Sequence, residues 1–198
     1  MTLDQAAAFF TFSLVAAITP GPSNVMITAT SSLAGIRRGF PCALGAATGM
    51  AALLFCSQLG LGRLLTGFPV IMTAMKWAGA ALLLWLSWKI ATSGAMNGGK
   101  DGKVVGFWGA AGFQWLNPKG WLVAVSAASV YGITGDGNPA LAALLFAAVF
   151  FVAAFPSCLV WLFLGAMISR LLRDERSARI FNIVMGLLLA VSVAIIVA

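Results

Sequence analysis

The run from Gln5 to Ile36 reads QAAAFFTFSLVAAITPGPSNVMITATSSLAGI and contains no charged residue. A helix needs about 20 apolar residues to cross a bilayer, so this run is long enough for one crossing. Near its middle, however, stands the segment Thr19-Pro-Gly-Pro-Ser-Asn24. Each proline lacks a backbone N–H and clashes with the carbonyl four residues back. The run therefore predicts a transmembrane helix that is broken within the membrane.

The composition of the whole chain agrees with a membrane environment. Of its 198 residues, 61% are hydrophobic and only 9% are charged, whereas an ordinary soluble domain is about 45–50% apolar and about 25% charged. Because so few charges cannot cover a water-facing surface, we expect the lipid bilayer to surround the chain.

The net charge of +7 comes from residues in loops between apolar runs rather than from a basic stripe, which argues against a nucleic-acid partner.

Six apolar runs divide the sequence. The runs are Gln5–Ile36, Gly39–Gly62, about Phe68–Ile90, about Val105–Tyr131, Ala140–Ser169 and Ile180–Ala198. A buried helix of a soluble protein is the alternative for any one of them, but six in succession leave no polar sequence to bury them. We predict an all-α membrane protein with six transmembrane helices in a single domain, 1–198, without room for a soluble enzyme module. The first run follows no Lys or Arg, so we expect it to be retained rather than cleaved as a signal peptide.

The lysines and arginines predict the orientation. They are concentrated in the loops after runs one, three and five, which contain Arg37, Arg38, Lys89, Lys100, Lys103, Arg170, Arg173, Arg176 and Arg179. The loops after runs two and four contain Arg63 alone. Because short cytoplasmic loops are enriched in Lys and Arg, we expect the odd-numbered loops to be cytoplasmic. Both termini would then be periplasmic, in a bacterial inner membrane.

A second interruption lies in the fourth run, at Gln114-Trp-Leu-Asn-Pro-Lys-Gly120. Pro118 is expected to free the Gln114 carbonyl. A lysine at the centre of a membrane helix, here Lys119, costs about 2.5–3.5 kcal/mol on insertion scales and needs a partner or a function. Lys76 lies near the outer end of run three, where its long side chain can extend to the membrane–water interface and needs no functional explanation.

The two breaks occupy matching places. Runs one and four each begin a three-helix half, about 1–92 and about 104–198, joined by a cytoplasmic loop at about 93–103. Three crossings per half make the two halves inverted repeats, and broken helices at corresponding positions of such repeats indicate a transporter's binding site. The alternative is that the prolines only kink the helices for packing. The predicted substrate-binding residues are Pro20, Gly21, Pro22, Ser23, Asn24, Asn117, Pro118 and Lys119.

The charges of this site favour a neutral zwitterion as the substrate. The helix start after Pro22 and the ammonium of Lys119 would attract an anionic group. No Asp or Glu falls within any apolar run, so a deep carboxylate for a cationic side chain is lacking. The chain has no His, and Cys42, Cys56 and Cys158 form no CxxC pair. We therefore expect no metal, no cofactor and no enzymatic activity.

The segment Gly45-Ala-Ala-Thr-Gly49 is a GxxxG pattern in the second run. Small residues at this spacing allow two helices to approach closely. The pattern is explained equally well by packing within the bundle and by a homodimer.

Four motifs fall in order along the chain: Thr19-Pro-Gly-Pro-Ser-Asn24, Gly35-Ile-Arg-Arg-Gly39, Lys76-Trp-Ala-Gly79 and Asn117-Pro-Lys119. With them the chain resembles the lysine-exporter/RhtB-type amino-acid efflux family over nearly its whole length. The resemblance implies six helices, an inner-membrane location and export of amino acids or their metabolites, driven by the proton gradient.

Other stretches are similar to the cysteine and O-acetylserine exporter branch of that family: Trp77-Ala-Gly-Ala-Ala81, Trp88-Lys-Ile-Ala-Thr-Ser93, and Arg179 followed by Asn182-Ile-Val184. Three positions depart from the wider pattern: Ser23 where Asn is usual, Leu82 where Tyr is usual and Ser87 where Gly is usual. The exported solute therefore stays open between cysteine or O-acetylserine and a compound such as threonine or homoserine. The functional alternatives are a non-transporting membrane subunit and a membrane redox or assembly factor, which would need paired cysteines or haem ligands.

Overall fold

A computed structural model of the chain describes residues 2–61, 67–92, 105–132, 138–171 and 175–197. Throughout these residues the regular structure is helical and contains no strand. The helices are α1 (Leu3–Ile18), α2 (Pro22–Gln58), α3 (Pro69–Ala91), α4 (Phe107–Leu116), α5 (Pro118–Tyr131), α6 (Pro139–Leu171) and α7 (Glu175–Val197). The all-α prediction is confirmed for this part of the chain. The predicted cytoplasmic loop at 93–103 lies outside it.

Two of the described helices are long and apolar enough to cross a membrane. They are Pro22–Gln58 and Pro139–Ile168, and Leu3–Ile18 is a shorter apolar helix. Large apolar side chains also cover much of the outer surface, among them Trp108, which is 83% exposed, and Val70, which is 81% exposed. A surface of this kind suits hydrocarbon rather than water.

Gly35 divides α2 into two arms. Its backbone dihedrals are φ 77° and ψ 175°, in the region that glycine adopts without the steric penalty of a Cβ atom. A Cβ built on Gly39 would lie 3.1 Å from the Cα of Ser31, although residues eight apart in a continuous helix are separated by about 12 Å. The chain therefore reverses at Gly35. We call 22–34 the first arm of α2 and 36–58 its second arm.

This reversal corrects one predicted boundary. The sequence analysis places Arg37 and Arg38 in the loop between the first two runs. In the structure both arginines are helical and exposed, and they belong to the second arm of α2. One glycine makes the turn that a longer polar loop would otherwise make.

Helix α2 is the centre of the bundle, because both α6 and α4 pack extensively against it, while α1 packs on α6 and α3 pairs with α7. The glycines of the GxxxG pattern lie at the contact with α4. A Cβ on Gly45 would overlap the Phe107 carbonyl, and one on Gly49 would meet the backbone of Ala111. Of the two explanations for this pattern, packing within the chain is the one observed.

An aromatic cluster joins α1, α5 and α6. The rings of Phe9 and Phe146 stack with centroids 3.7 Å apart. Tyr131 lies against Phe9 at 5.4 Å and against Phe12 at 5.7 Å. The cluster therefore packs the C-terminal residue of α5 against α1, which in turn packs on α6.

Candidate functional site

The first helix break separates α1 from α2. Helix α1 ends at Ile18, Thr19 is extended at φ −60° and ψ 127°, and Gly21 is extended at φ −174° and ψ 178°. Pro22 then begins α2, a position where its missing N–H has no intrahelical acceptor to lose. The predicted interruption is therefore present, and it points the carbonyls of Thr19 and Pro20 away from either helix axis.

The side chain of Asn24 holds this break together. Its amide nitrogen donates to the carbonyl oxygens of Ala17 and Thr19, each at 2.9 Å. The sequence predicts free carbonyls at Ala16 and Ile18, but the carbonyls that the Asn24 amide binds are each one residue later. Asn24 is buried, and it supplies the two hydrogen bonds that an unbroken helix would have supplied from its backbone.

The second break separates α4 from α5 at Asn117, which is extended at φ −85° and ψ 108°. Asn117 is also the N-cap of α5, because its side-chain oxygen accepts from the Lys119 backbone N–H at 3.2 Å. The Gln114 carbonyl, predicted to be free, instead accepts from the Asn117 N–H at 3.2 Å. The Leu116 carbonyl packs directly against Gly79 of α3, where a Cβ would overlap it.

Three polar side chains join the two breaks. The Ser23 hydroxyl donates to Gln114 Oε1 at 3.0 Å, and Asn117 Nδ2 donates to the Ser23 Oγ at 3.1 Å. The sequence analysis did not place Gln114 in the site. The sequence could have indicated this role, since Gln114 is a neutral polar residue in an apolar turn, four positions before Pro118.

The ammonium group of Lys119 contacts the first break. Its Nζ donates to the Thr19 carbonyl at 2.8 Å and to the Pro20 carbonyl at 3.4 Å. We predicted from the sequence that the charge of Lys119 needs a partner or a function, and its partners are these two backbone carbonyls. Gly21 makes the approach possible, because a Cβ there would lie 2.9 Å from Lys119 Nζ.

A cavity of about 60 Å³ lies where the breaks meet. Its polar side is formed by Ser23, Asn24, Gln114, Asn117 and Lys119. Its apolar side comes from all four surrounding helices: Ala16, Ala17, Ala46, Ala47, Met50, Val123, Phe150, Ala154 and Cys158. One water needs about 10–15 Å³ of such space, so the cavity accommodates a small polar head group.

The predicted site residues thus divide into two groups. Gly21, Ser23, Asn24, Asn117 and Lys119 line the cavity. Pro20, Pro22 and Pro118 do not line it, but they set the backbone of the two breaks. The side chain of Lys76 lies outside the described residues. Within those residues, His, Cys, Asp and Glu form no group that could hold a metal ion.

The departures from the family pattern at Leu82 and Ser87 lie away from the cavity. Leu82 packs against the hydrophobic core, and the Ser87 hydroxyl donates to the Gly186 carbonyl of α7 at 2.7 Å. Both residues therefore contribute to helix packing, and Ser23 is the departure that lines the site.

Two broken helices that meet around a polar cavity, inside a helical bundle with an apolar surface, are the architecture of a membrane transporter. Comparison with known protein families identifies the family of transporters to which the chain belongs. Residues 14–197 match the family model described as LysE type translocator, and the chain belongs to this family.

Curated relatives agree with the family match. A cysteine/O-acetylserine efflux protein of Escherichia coli is 30% identical over 190 residues, which cover 96% of this chain and 95% of the relative. A cysteine/O-acetylserine efflux protein of Salmonella typhimurium is 35% identical over 132 residues, or 66% of this chain and 67% of the relative. No solved structure matches the chain.

Proposed function

We propose that the chain exports small neutral amino acids or their derivatives, cysteine and O-acetylserine among them, across a bacterial inner membrane. The LysE-type match and the relatives named as cysteine/O-acetylserine efflux proteins support this activity. The observation that supports it in the site itself is the ammonium of Lys119, which rests on neutral carbonyls at the edge of the cavity.

The ammonium of Lys119 receives the substrate carboxylate. An ammonium has three N–H donors, and two of them point at the carbonyls of Thr19 and Pro20. The carboxylate carries a full negative charge, whereas a carbonyl oxygen carries only a partial one, so the ammonium is attracted more strongly to the carboxylate. A carboxylate in the cavity therefore draws Lys119 away from at least the longer contact, at 3.4 Å from Pro20.

The carbonyls that Lys119 leaves become acceptors for the substrate's own ammonium group. The exchange leaves the net charge of the site unchanged, because the zwitterion adds none. Its ammonium replaces that of Lys119 on the Thr19 and Pro20 oxygens while its carboxylate binds Lys119. A zwitterion fits this exchange. A solute with an additional positive side chain does not, since the described residues that line the cavity include no Asp or Glu.

Transport requires that the site open to each side of the membrane in turn. In this proposal the chain is one domain with six crossings, formed by inverted halves of about 1–92 and about 104–198. Rocking of the halves about the breaks gives alternating access, with both termini periplasmic. Export is coupled to proton entry, and Lys119 is the residue at the cavity whose charge most directly links a proton to substrate binding.

The experiment is efflux of radiolabelled amino acids from cells that overexpress the chain, compared with cells carrying the empty vector. We expect faster loss of cysteine and O-acetylserine and an unchanged rate for lysine and arginine. Lysine export at the same rate as cysteine export would contradict the neutral-zwitterion site. Equal rates in vector cells for every solute would contradict export itself.

A further inference from the structure

The first arm of α2 carries more buried hydroxyl groups than the cavity uses. Thr28, Thr30, Ser31 and Ser32 are each at most 5% exposed, and none of them lines the cavity. They follow Asn24 along the helix and lead toward the reversal at Gly35. Hydroxyls at these positions are not needed to fill space, because alanine would fill it without a polar group to satisfy.

Two of these residues, Thr28 and Ser31, lie very close to α6. The Thr28 hydroxyl donates to the Trp161 carbonyl at 3.2 Å. A Cβ on Gly165 would overlap both the Ser31 hydroxyl and the Thr28 carbonyl. No side chain larger than that of glycine fits between the two helices here, so Gly165 closes the contact.

The α6 side of this contact contains polar groups that have no partner. Ser157 is 2% exposed, and its hydroxyl makes no hydrogen bond within the described residues, nor does the Trp161 indole N–H. Buried polar groups are nearly always paired, so these two donors are suited to a polar ligand that enters the contact. Ser157 lies three residues after Ala154, which lines the cavity, and four before Trp161, so the three share one helix face.

We propose that a small zwitterionic amino acid passes between the first arm of α2 and α6 on its way between the cavity and the side of the membrane that bears Gly35. The residues that define this path are Thr28, Ser31, Ser157, Trp161 and Gly165. This inference rests on the proposed function. The unpaired hydroxyl and indole donors replace water around the substrate's carboxylate, and the oxygens of Thr28 and Ser31 replace water around its ammonium.

Opening the path breaks the hydrogen bond between the Thr28 hydroxyl and the Trp161 carbonyl, but two other hydroxyls of the first arm keep their partners. The Ser31 hydroxyl donates to the Thr28 carbonyl at 3.1 Å, and the Ser32 hydroxyl donates to the Ala29 carbonyl at 2.9 Å. Both bonds lie within the arm itself, so they persist when α6 moves away. Uncharged groups also bind the substrate weakly enough to release it, whereas a charge on the path would retain it.

The test measures access rather than transport. Cys42, Cys56 and Cys158 are replaced by alanine, and Ser31→Cys is reacted with a membrane-impermeant maleimide in sealed vesicles of each orientation. We expect Ser31→Cys to react slowly while Gly165 is present. Adding Gly165→Val should force the helices apart and accelerate the reaction about tenfold or more, from the same side that labels Arg37→Cys. Gly165→Ala should give a smaller acceleration.

The matched control is Gly186→Val. A Cβ on Gly186 would also lie too close to its neighbour, 2.8 Å from the Ser87 carbonyl, but this contact joins α7 to α3, away from the path. It should leave the reactivity of Ser31→Cys unchanged. Equal acceleration by Gly186→Val, or labelling from the side opposite Arg37→Cys, would overturn the proposal.

A second measurement leaves Gly165 intact. Ser157→Cys is expected to react from the Gly35 side and to be protected by O-acetylserine but not by lysine. An unreactive Ser157→Cys, or no acceleration of Ser31→Cys by either Gly165 variant, would also overturn the path. Because labelling needs no substrate movement, loss of the path and loss of the export function give different results: a non-transporting protein can still open here.

Discussion

The ammonium nitrogen of Lys119 lies 2.8 Å from the carbonyl oxygen of Thr19, across a sequence separation of 100 residues. The contact joins two helix breaks that the sequence places in different halves of the chain. It also gives the half-buried positive charge of Lys119 a partner without using a carboxylate. A ligand with a carboxylate can therefore compete for this lysine, and four of the following measurements depend on that competition or on the geometry around it.

Lys119→Met should lower the apparent affinity for exported amino acids by about tenfold or more, since a hydrogen bond to a charged group contributes about 1.5–3 kcal/mol. The variant should insert at least as well as the parent, because it removes a charge from an apolar environment. Efflux rates over a range of internal substrate concentrations provide the measurement. Lys119→Arg should retain partial function, limited by its different geometry.

Lys76→Met serves as the control for the lysine prediction. A lysine that reaches the membrane interface should tolerate the change, and efflux should stay near the parental rate. Parental affinity in Lys119→Met would show that this lysine does not bind the carboxylate.

Gly21→Leu should abolish transport while leaving the protein in the membrane. Its side chain would occupy the position of Lys119 Nζ, which lies 2.9 Å from a Cβ built on Gly21. Gly112→Leu is a matched control, since a Cβ on this helical glycine meets nothing within 4 Å. Membrane abundance and efflux are measured together, and normal efflux by Gly21→Leu would contradict the close approach.

Pro20→Ala should also abolish efflux, for a different reason. It restores an N–H that can bond the Ala16 carbonyl and continue α1 into the break. The Thr19 and Pro20 carbonyls would then point along the helix instead of toward Lys119. If Pro20→Ala exports normally, the prolines serve packing alone.

Gln114→Leu should weaken the site from a position that touches both breaks. It removes the acceptor of the Ser23 hydroxyl, which keeps only the hydrogen bond that it accepts from Asn117, and the loss of one such bond costs about 0.5–1.5 kcal/mol. We expect lower thermal stability in detergent and about tenfold weaker substrate binding. Gln114→Glu should keep the shape but place a carboxylate near Lys119, so it should inhibit export by competition. Ser129→Ala is the control, because the Ser129 hydroxyl bonds only its own helix, at Val125.

The topology is tested by cysteine labelling from outside intact cells. Gly137→Cys should react, whereas Gly102→Cys and Ser177→Cys should not, because the Lys and Arg residues near these two positions indicate that both are cytoplasmic. Permeabilised cells provide the control for reactivity. The opposite pattern would invert the orientation and, with it, the direction in which the proposed path opens.

The sequence predicted the two breaks well, because the effect of proline on a helix is local and independent of the rest of the fold. It placed Gly21, Ser23, Asn24, Asn117 and Lys119 at one site, and they line one cavity. These predictions needed only the positions of the prolines and polar residues along the two apolar runs.

Other features depended on contacts that no local pattern encodes. The reversal at Gly35 depends on a positive φ angle at a single residue, whereas the charge pattern places the loop at Arg37 and Arg38. Gln114 enters the site only because Ser23 lies beside it across 91 residues of chain. Likewise, a required partner for Lys119 could be predicted, but its identity as a backbone carbonyl appeared only once the two breaks were seen to face each other.

The shortness of the broken helices has a consequence for biosynthesis. Helix α1 has 16 residues and α4 has 10, about 24 and 15 Å of helix, against a hydrocarbon core of about 30 Å. Neither can be a stable crossing alone, and α5 also brings the lysine. Thr19 leaves the ribosome long before Lys119, so its carbonyl waits for a partner until the second half is made. Membrane integration of the α4–α5 segment should therefore succeed only when the first half is already in place, and a truncated chain that begins after residue 104 should be degraded rather than inserted.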